Sequence, residues 1–187
     1  MSLSDLILEI SSCTKCKLHL TRTNVVPGDG NENADIMFIG EGPGKKEDEQ
    51  GLPFIGAAGK MLSTMLLEIG MKREDVYIAN VVKCRPPNNR DPEVDEVKAC
   101  WPYLEKQIEL IKPKVICFLG RHAMNRFFPD FKISEAHGKT FKREDGIVYM
   151  PLYHPAAALY NGGLRETLFE DFRKIPRVIE EVNKGLK

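Results

Sequence analysis

The sequence predicts an α/β protein: an open, largely parallel sheet with helices on both faces. Apolar runs that suit buried strands, Asp35 to Gly40, Val76 to Val82 and Val115 to Leu119, alternate with stretches of helical periodicity. These runs give way to glycine or to polar and proline-rich turns, as strands opening into loops do. Composition does not shift midway through the 187 residues, a length that supports a full core, so residues 1–187 read as one domain.

Taken in order, Leu3, Leu6, Ile7 and Ile10 recur at helical spacing and predict a short amphipathic helix before Cys13. Asp35 to Gly40 is the first strand, followed by a stretch rich in glycine, proline and charge up to Lys60. Met61, Leu62, Met65, Leu66 and Ile69 then mark a helix that Gly70 ends. Val76 to Val82 is a second strand, interrupted by Asn80 and followed by the Pro86-Pro87-Asn88-Asn89 loop. Asp91 has the chemistry of an N-cap with Pro92 at the first helical position, and Val94, Val97, Cys100, Leu104, Ile108 and Ile111 share one face of the helix that follows. Val115 to Leu119 is a third strand and Arg121 to Phe128 a short helix. Lys139 to Arg143 and Ile147 to Tyr153 flank a turn at Asp145-Gly146 and predict a hairpin. A last helix starts at Leu164, with a kink expected at Pro176.

The formal net charge is zero with 29% charged residues, which argues against a strongly basic architectural nucleic-acid binder, so any DNA contact must be local. Two basic clusters stand out, Lys83, Arg85 and Arg90 around Cys84, and Lys139, Lys142 and Arg143, although solvated surface explains either equally well. No segment is apolar for the length needed to span a bilayer, and the N-terminus has no basic start before a long apolar stretch. The expectation is a soluble, cytoplasmic protein with no membrane partner, and an odd cysteine count agrees.

Four cysteines carry the most chemistry. Cys13 and Cys16 form one CxxC, joined by the separate Cys84 and Cys100, which is unlike the two facing CxxC pairs of a zinc ribbon. Such a four-thiolate set, built from distant segments, suits an iron–sulfur cluster at least as well as zinc. The fifth, Cys117, lies in an apolar run and reads as a small buried hydrophobe.

Two nucleotide motifs fail. Gly59-Lys60 resembles the end of a phosphate loop, but Phe54 stands where the earlier glycine is needed and Met61 where Ser or Thr is needed; Gly40 and Gly42 are followed by Lys45 instead of a third glycine. What remains is Gly40-Glu41-Gly42-Pro43-Gly44 directly after a strand, where sheets of this kind bind ligands, with a carboxylate that no turn requires. Downstream lie Glu47 and an aromatic, Phe54, flanked by turn residues. Asn80 places an amide inside an apolar strand, where it must be hydrogen-bonded or suffer a cost of about 1–3 kcal/mol, and its acceptor and two donors can read the edge of a flat heterocycle. His154 sits at a strand end, fixed by the following Pro155.

Together, Cys13-x-x-Cys16, Gly40-Glu41-Gly42-Pro43-Gly44, Leu52-Pro53-Phe54, Asn80-x-x-x-Cys84-Arg85-Pro86-Pro87 and His154-Pro155 resemble the family 4 uracil-DNA glycosylases, iron–sulfur enzymes of thermophilic bacteria and archaea. The motifs occur in the family's order; Gly42 stands where many relatives carry alanine. The resemblance implies a three-layer α/β/α sandwich on a mostly parallel four-stranded sheet and a [4Fe–4S] cluster on Cys13, Cys16, Cys84 and Cys100. It also implies hydrolysis of the uracil–deoxyribose bond in DNA, in base excision repair. By that resemblance Phe54 stacks on a flipped uracil and Asn80 reads its pairing edge. Glu47 lines the C5 side and excludes thymine. His154 and the amides of Gly40 to Gly42 stabilise the leaving anion, while Glu41 activates water or stabilises the sugar cation. A monomer acting on uracil-containing DNA is expected, with repair or replication partners left open. The rival readings are a glycosylase for another damaged base and a non-catalytic iron–sulfur module.

Overall fold

A computed structural model describes all residues 1–187. Six strands form one sheet in the order β1-β3-β2-β4-β6-β5. Its centre is the parallel set β3 (Tyr77–Asn80), β2 (Ile36–Gly40), β4 (Val115–Leu119) and β6 (Val148–Leu152). The antiparallel two-residue strands β1 (Asp29–Gly30) and β5 (Phe141–Lys142) close the edges. The expected four parallel strands are therefore the core of the sheet, extended at each side by a piece too short to leave a periodic signal.

Every residue of the four parallel strands is buried, because helices cover both faces. Strand alternation divides the core into two. Met37, Ile39, Ile116, Phe118 and Tyr149 pack with α1 (Leu3–Ser11), α4 (Val94–Ile111) and α5 (Arg121–Phe127). Ile36, Phe38, Cys117, Met150 and Leu152 pack with α3 (Ala57–Glu68), α8 (Gly162–Arg173) and α9 (Ile175–Asn183). Between β2 and β4 the order of connection reverses, so the loops after them diverge and open a crevice at the carboxyl ends of the strands.

Several boundaries differ from the sequence expectation. The strand at Val76 to Val82 ends at Asn80; Val81 and Val82 instead donate to the carbonyls of Gly40 and Glu41, at 2.9 and 3.0 Å, bracing the turn after β2. The long helix α4 is capped by Glu93, whose partner Glu96 completes a capping box, rather than by Asp91. Val94 is accordingly solvent-exposed and off the core face. The charged stretch before Lys60 contains α2 (Lys45–Gln50), invisible to periodicity because its residues are charged or polar. The last expected helix is two: the chain breaks at Lys174, and Pro176, which has no N–H to give, occupies the first turn of α9. The hairpin turns at Gly146, φ 80°, as its sequence required.

Candidate active site and cysteine centre

A cavity of about 620 Å³ opens at the carboxyl ends of the parallel strands. It gathers Glu41, Gly42, Glu47, Phe54, Asn80 and His154, residues spread over more than 110 positions of sequence. Gly40, also expected at the site, does not line the cavity; it lets Asn80 and Phe54 close in by being small, since a first side-chain carbon there would lie 2.5 Å from Asn80 Oδ1 and 2.6 Å from the Phe54 ring.

Phe54 owes its place to three neighbours. Its φ is 49°, a left-handed backbone that a bulky residue seldom adopts. Arg73 clamps the bend by donating to the carbonyls of Pro53 (2.6 Å) and Phe54 (2.8 Å). Gly59, on the first turn of α3, lies so close that a Cβ would stand 1.8 Å from the Phe54 carbonyl oxygen. One carboxylate oxygen of Glu47 accepts from the amides of Ile55 and Gly56, at 3.0 and 2.9 Å. The Phe54 ring, 6% exposed, then faces the His154 ring at 5.7 Å between centroids.

Asn80 closes β3 with its side chain buried and Oδ1 without a hydrogen-bond partner. An unmet buried acceptor is rare enough to mark a place where a ligand completes the bond. Its backbone carbonyl is held by the ammonium of Lys83 at 2.7 Å.

His154 caps α7 (Pro155–Tyr160), its Nδ1 accepting from the amide of Ala156 at 3.0 Å. That bond fixes the tautomer: with Nδ1 as acceptor, the neutral ring carries its proton on Nε2. Burial, then the positive field of His122, pushes the His154 pKa down to about 4, so the ring is a neutral donor at neutral pH. Glu41 moves the other way. Burial and the neighbouring Asp91 raise it to about 7, with Arg126 and Arg121 opposing. Its Oε2 lies 3.0 Å from His122 Nδ1, yet the angle is too poor for a hydrogen bond and the oxygen is left without one.

Cys13, Cys16, Cys84 and Cys100 line a second, small cavity between α1, the loop after β3 and α4. No three of the four sulfurs lie within 4.8 Å of one another, whereas tetrahedral zinc, with Zn–S of about 2.3 Å, brings its sulfurs to about 3.8 Å. Polar N–H groups already point at them: Arg22 donates to Cys84 Sγ (3.1 Å), the Lys83 amide to Cys100 Sγ (3.3 Å) and the Lys15 amide to Cys13 Sγ (3.4 Å). Burial pushes the Cys100 thiol up to about 11 and raises Cys16 and Cys84, so ionising this set needs positive charge in the cavity. Cys117 lies apart, fully buried in β4. The basic cluster expected around Cys84 dissolves: Lys83 is buried against Asn80 and Gln107, and Arg90 forms a bidentate pair with Glu96 at 2.9 and 2.7 Å.

Residues 27–177 match the uracil DNA glycosylase superfamily. The chain belongs to that superfamily. Among its relatives, the type-4 uracil-DNA glycosylase of Sulfurisphaera tokodaii is 53% identical over 183 residues, spanning 93% of this chain and 83% of the relative. The type-4 uracil-DNA glycosylase of Archaeoglobus fulgidus is also 53% identical, spanning 93% and 92%. In fold, a Methanosarcina acetivorans chain solved by solution NMR superposes with a TM-score of 0.53 at 16% identity, covering 82% of this chain and 98% of that one. The resemblance to family 4 read from the motifs and the α/β architecture both stand.

This uracil-DNA glycosylase superfamily member also brings residues to the cavity that sequence reasoning missed, Arg121, His122 and Tyr153, with Asp91 behind His122. His122 follows a strand end in Leu119-Gly120-Arg121-His122, a signal of the same kind as His154-Pro155. Asp91 reads as a helix cap, and only the displaced start of α4 frees it to face His122.

Proposed function

We propose that the chain is a uracil-DNA glycosylase of the type-4 kind. It takes a flipped 2′-deoxyuridine from DNA, hydrolyses the bond from uracil N1 to the sugar C1′ and leaves an abasic site. The observation that carries this reading is the unpaired, buried Asn80 Oδ1 facing a cavity walled by Phe54 and His154, in a chain 53% identical to type-4 enzymes.

The chemistry follows from donors and acceptors. Uracil offers a donor at N3 and an acceptor at O4; Asn80 Oδ1 takes the first and its Nδ2 gives to the second. Cytosine, with an acceptor and a donor at those positions, meets the opposite pattern. Phe54 stacks on the ring. Glu47 walls the pocket beside it, where a 5-methyl group would collide. As the N1–C1′ bond breaks, its electron pair passes into the uracil ring and charge gathers on O2, toward which the His154 Nε2–H is directed, with backbone amides at Gly40 to Gly42 adding to the field. A water oxygen bonds to C1′, and Glu41 receives the water proton, a role that a carboxylate poised near neutrality suits.

The four cysteines fit a [4Fe–4S] cluster better than one zinc ion, given their wide spacing and their need for cationic charge. Bound there, the cluster would supply charge and cross-linking to Cys13, Cys16, Cys84 and Cys100 and take no part in a hydrolysis that moves no electrons. No helix is long and apolar enough to cross a membrane. We take the protein as a cytoplasmic monomer, one domain over residues 1–187, whose partner is uracil-containing DNA.

The test is incubation with an oligonucleotide carrying one uracil, beside otherwise identical strands carrying cytosine, thymine or hypoxanthine. Free uracil and an alkali-labile site from the first strand alone are expected. Release of hypoxanthine in preference to uracil would move the substrate to another base, and no release from any strand would leave no glycosylase.

A further inference from the structure

We propose that His122 is a positioning residue for Glu41: braced by Asp91 on one ring nitrogen, it donates from the other to the Glu41 carboxylate, steadying its charge and fixing its orientation toward the attacking water. This deepens the glycosylase reading and rests on it.

The geometry gives three groups from three segments. Glu41 follows β2, Asp91 precedes α4 and His122 lies on the first turn of α5. Their ligand atoms all fall within 4.8 Å of one another. His122 Nδ1 stands 3.0 Å from Glu41 Oε2, and its Nε2 stands 3.8 Å from Asp91 Oδ1. Glu41 Oε2 is a buried oxygen that no other group in the protein satisfies, and a modest turn of the imidazole would align the contact.

Protons and electrons balance. The water O–H bond breaks as its oxygen joins C1′ and Glu41 takes the proton on its other oxygen, while the electron pair of the broken N1–C1′ bond leaves with uracil. No oxidant or further reactant is needed. On this reading the effect of His122 on the water runs through Glu41. The charged and titratable groups facing Glu41 come from every side: Asp91 from the segment before α4, Arg121, His122 and Arg126 from α5, Glu47 from α2 and His154 from the end of β6.

The experiment is the pH dependence of single-turnover uracil release by the wild type, His122→Ala and Asp91→Asn, with DNA affinity and melting temperature measured for each. Removing the imidazole should slow release on the order of tenfold without changing DNA affinity. It should also move the acidic limb of the profile to higher pH, because Glu41 loses a neighbour that stabilises its charge, and added imidazole should restore part of the rate. Asp91→Asn removes a negative neighbour and should move the same limb to lower pH. Shifts of about 0.5–1 unit are expected for these partly exposed groups. A limb unmoved in either variant, or moved the same way in both, overturns the proposal, as does a His122→Ala defect confined to DNA affinity. Should His122→Ala fail to fold, His122→Phe, a ring without an N–H donor, takes its place, with the acidic limb again expected at higher pH and an unmoved limb overturning the proposal. A wild type that releases no uracil at any pH would refute the glycosylase reading instead.

Discussion

Asn80, Phe54 and His154 each make a separable contribution to the proposed site, so each variant should fail differently. Phe54→Ala should weaken binding of the flipped base by about 1–3 kcal/mol, the worth of an aromatic platform under a base, read as a loss of roughly 5- to 150-fold in single-turnover kcat/KM. His154→Ala should slow uracil release by about 10²–10³-fold with DNA affinity intact, since one donor to a developing anion is lost. A His154 variant that lost affinity and cleaved normally once bound would be a binding residue. Glu41 supplies a pH signature in stability. Its folded pKa, about 7, lies above its ordinary value of 4.5, so its contribution is full below pH 4.5 and is lost as pH rises through 7. Glu41→Gln should therefore gain stability relative to the wild type between pH 4.5 and 7.5 in melting experiments, while losing activity. These four residues were legible in the sequence because local backbone needs explain none of them. His122 and Asp91 were not, since each has an ordinary reading in its own segment and only the fold brings them to Glu41.

At the level of elements, the contact between α3 and the Phe54 bend is the least tolerant of change. Gly59→Ala places a methyl 1.8 Å from a carbonyl oxygen, so either the helix or the bend must shift. The expected result is a folded protein with far-ultraviolet dichroism near the wild type, a melting temperature several degrees lower and uracil release reduced at least as much as in Phe54→Ala; unchanged release would show that Phe54 is not held where it matters. The start of α4 works by a different principle, a buried carboxylate shared between its own cap and Arg90. Strands β2 and β4 and helix α1 were readable because apolar spacing dictated them, while α2 was hidden because all six of its residues are charged or polar. The two edge strands were hidden for want of length, two residues apiece.

Across the whole molecule, the cysteine centre gathers three segments far apart in sequence: the end of the N-terminal helix, the loop beyond β3 and helix α4. Anaerobically purified protein should be brown, with iron and acid-labile sulfide in proportion to one cluster per chain; stoichiometric zinc without sulfide would refute the cluster. Cys84→Ser should lower iron content and melting temperature together and make residues 1–20 the first target of a protease, whereas Cys117→Ser should leave the iron in place. The spacing CxxC…C…C pointed to one centre in the sequence, but its separation from the cavity, bridged by Lys83 between Cys100 and Asn80, required the fold. The Phe54 bend is locked from three directions, by Arg73, by α3 and by Glu47 on α2. Its conformational entropy is thus surrendered when the chain folds and not each time a base arrives. The platform behaves as a standing shelf rather than a closing lid, and the amides of Ile55 and Gly56 should exchange their hydrogens slowly in the free protein and hardly more slowly when uracil is bound.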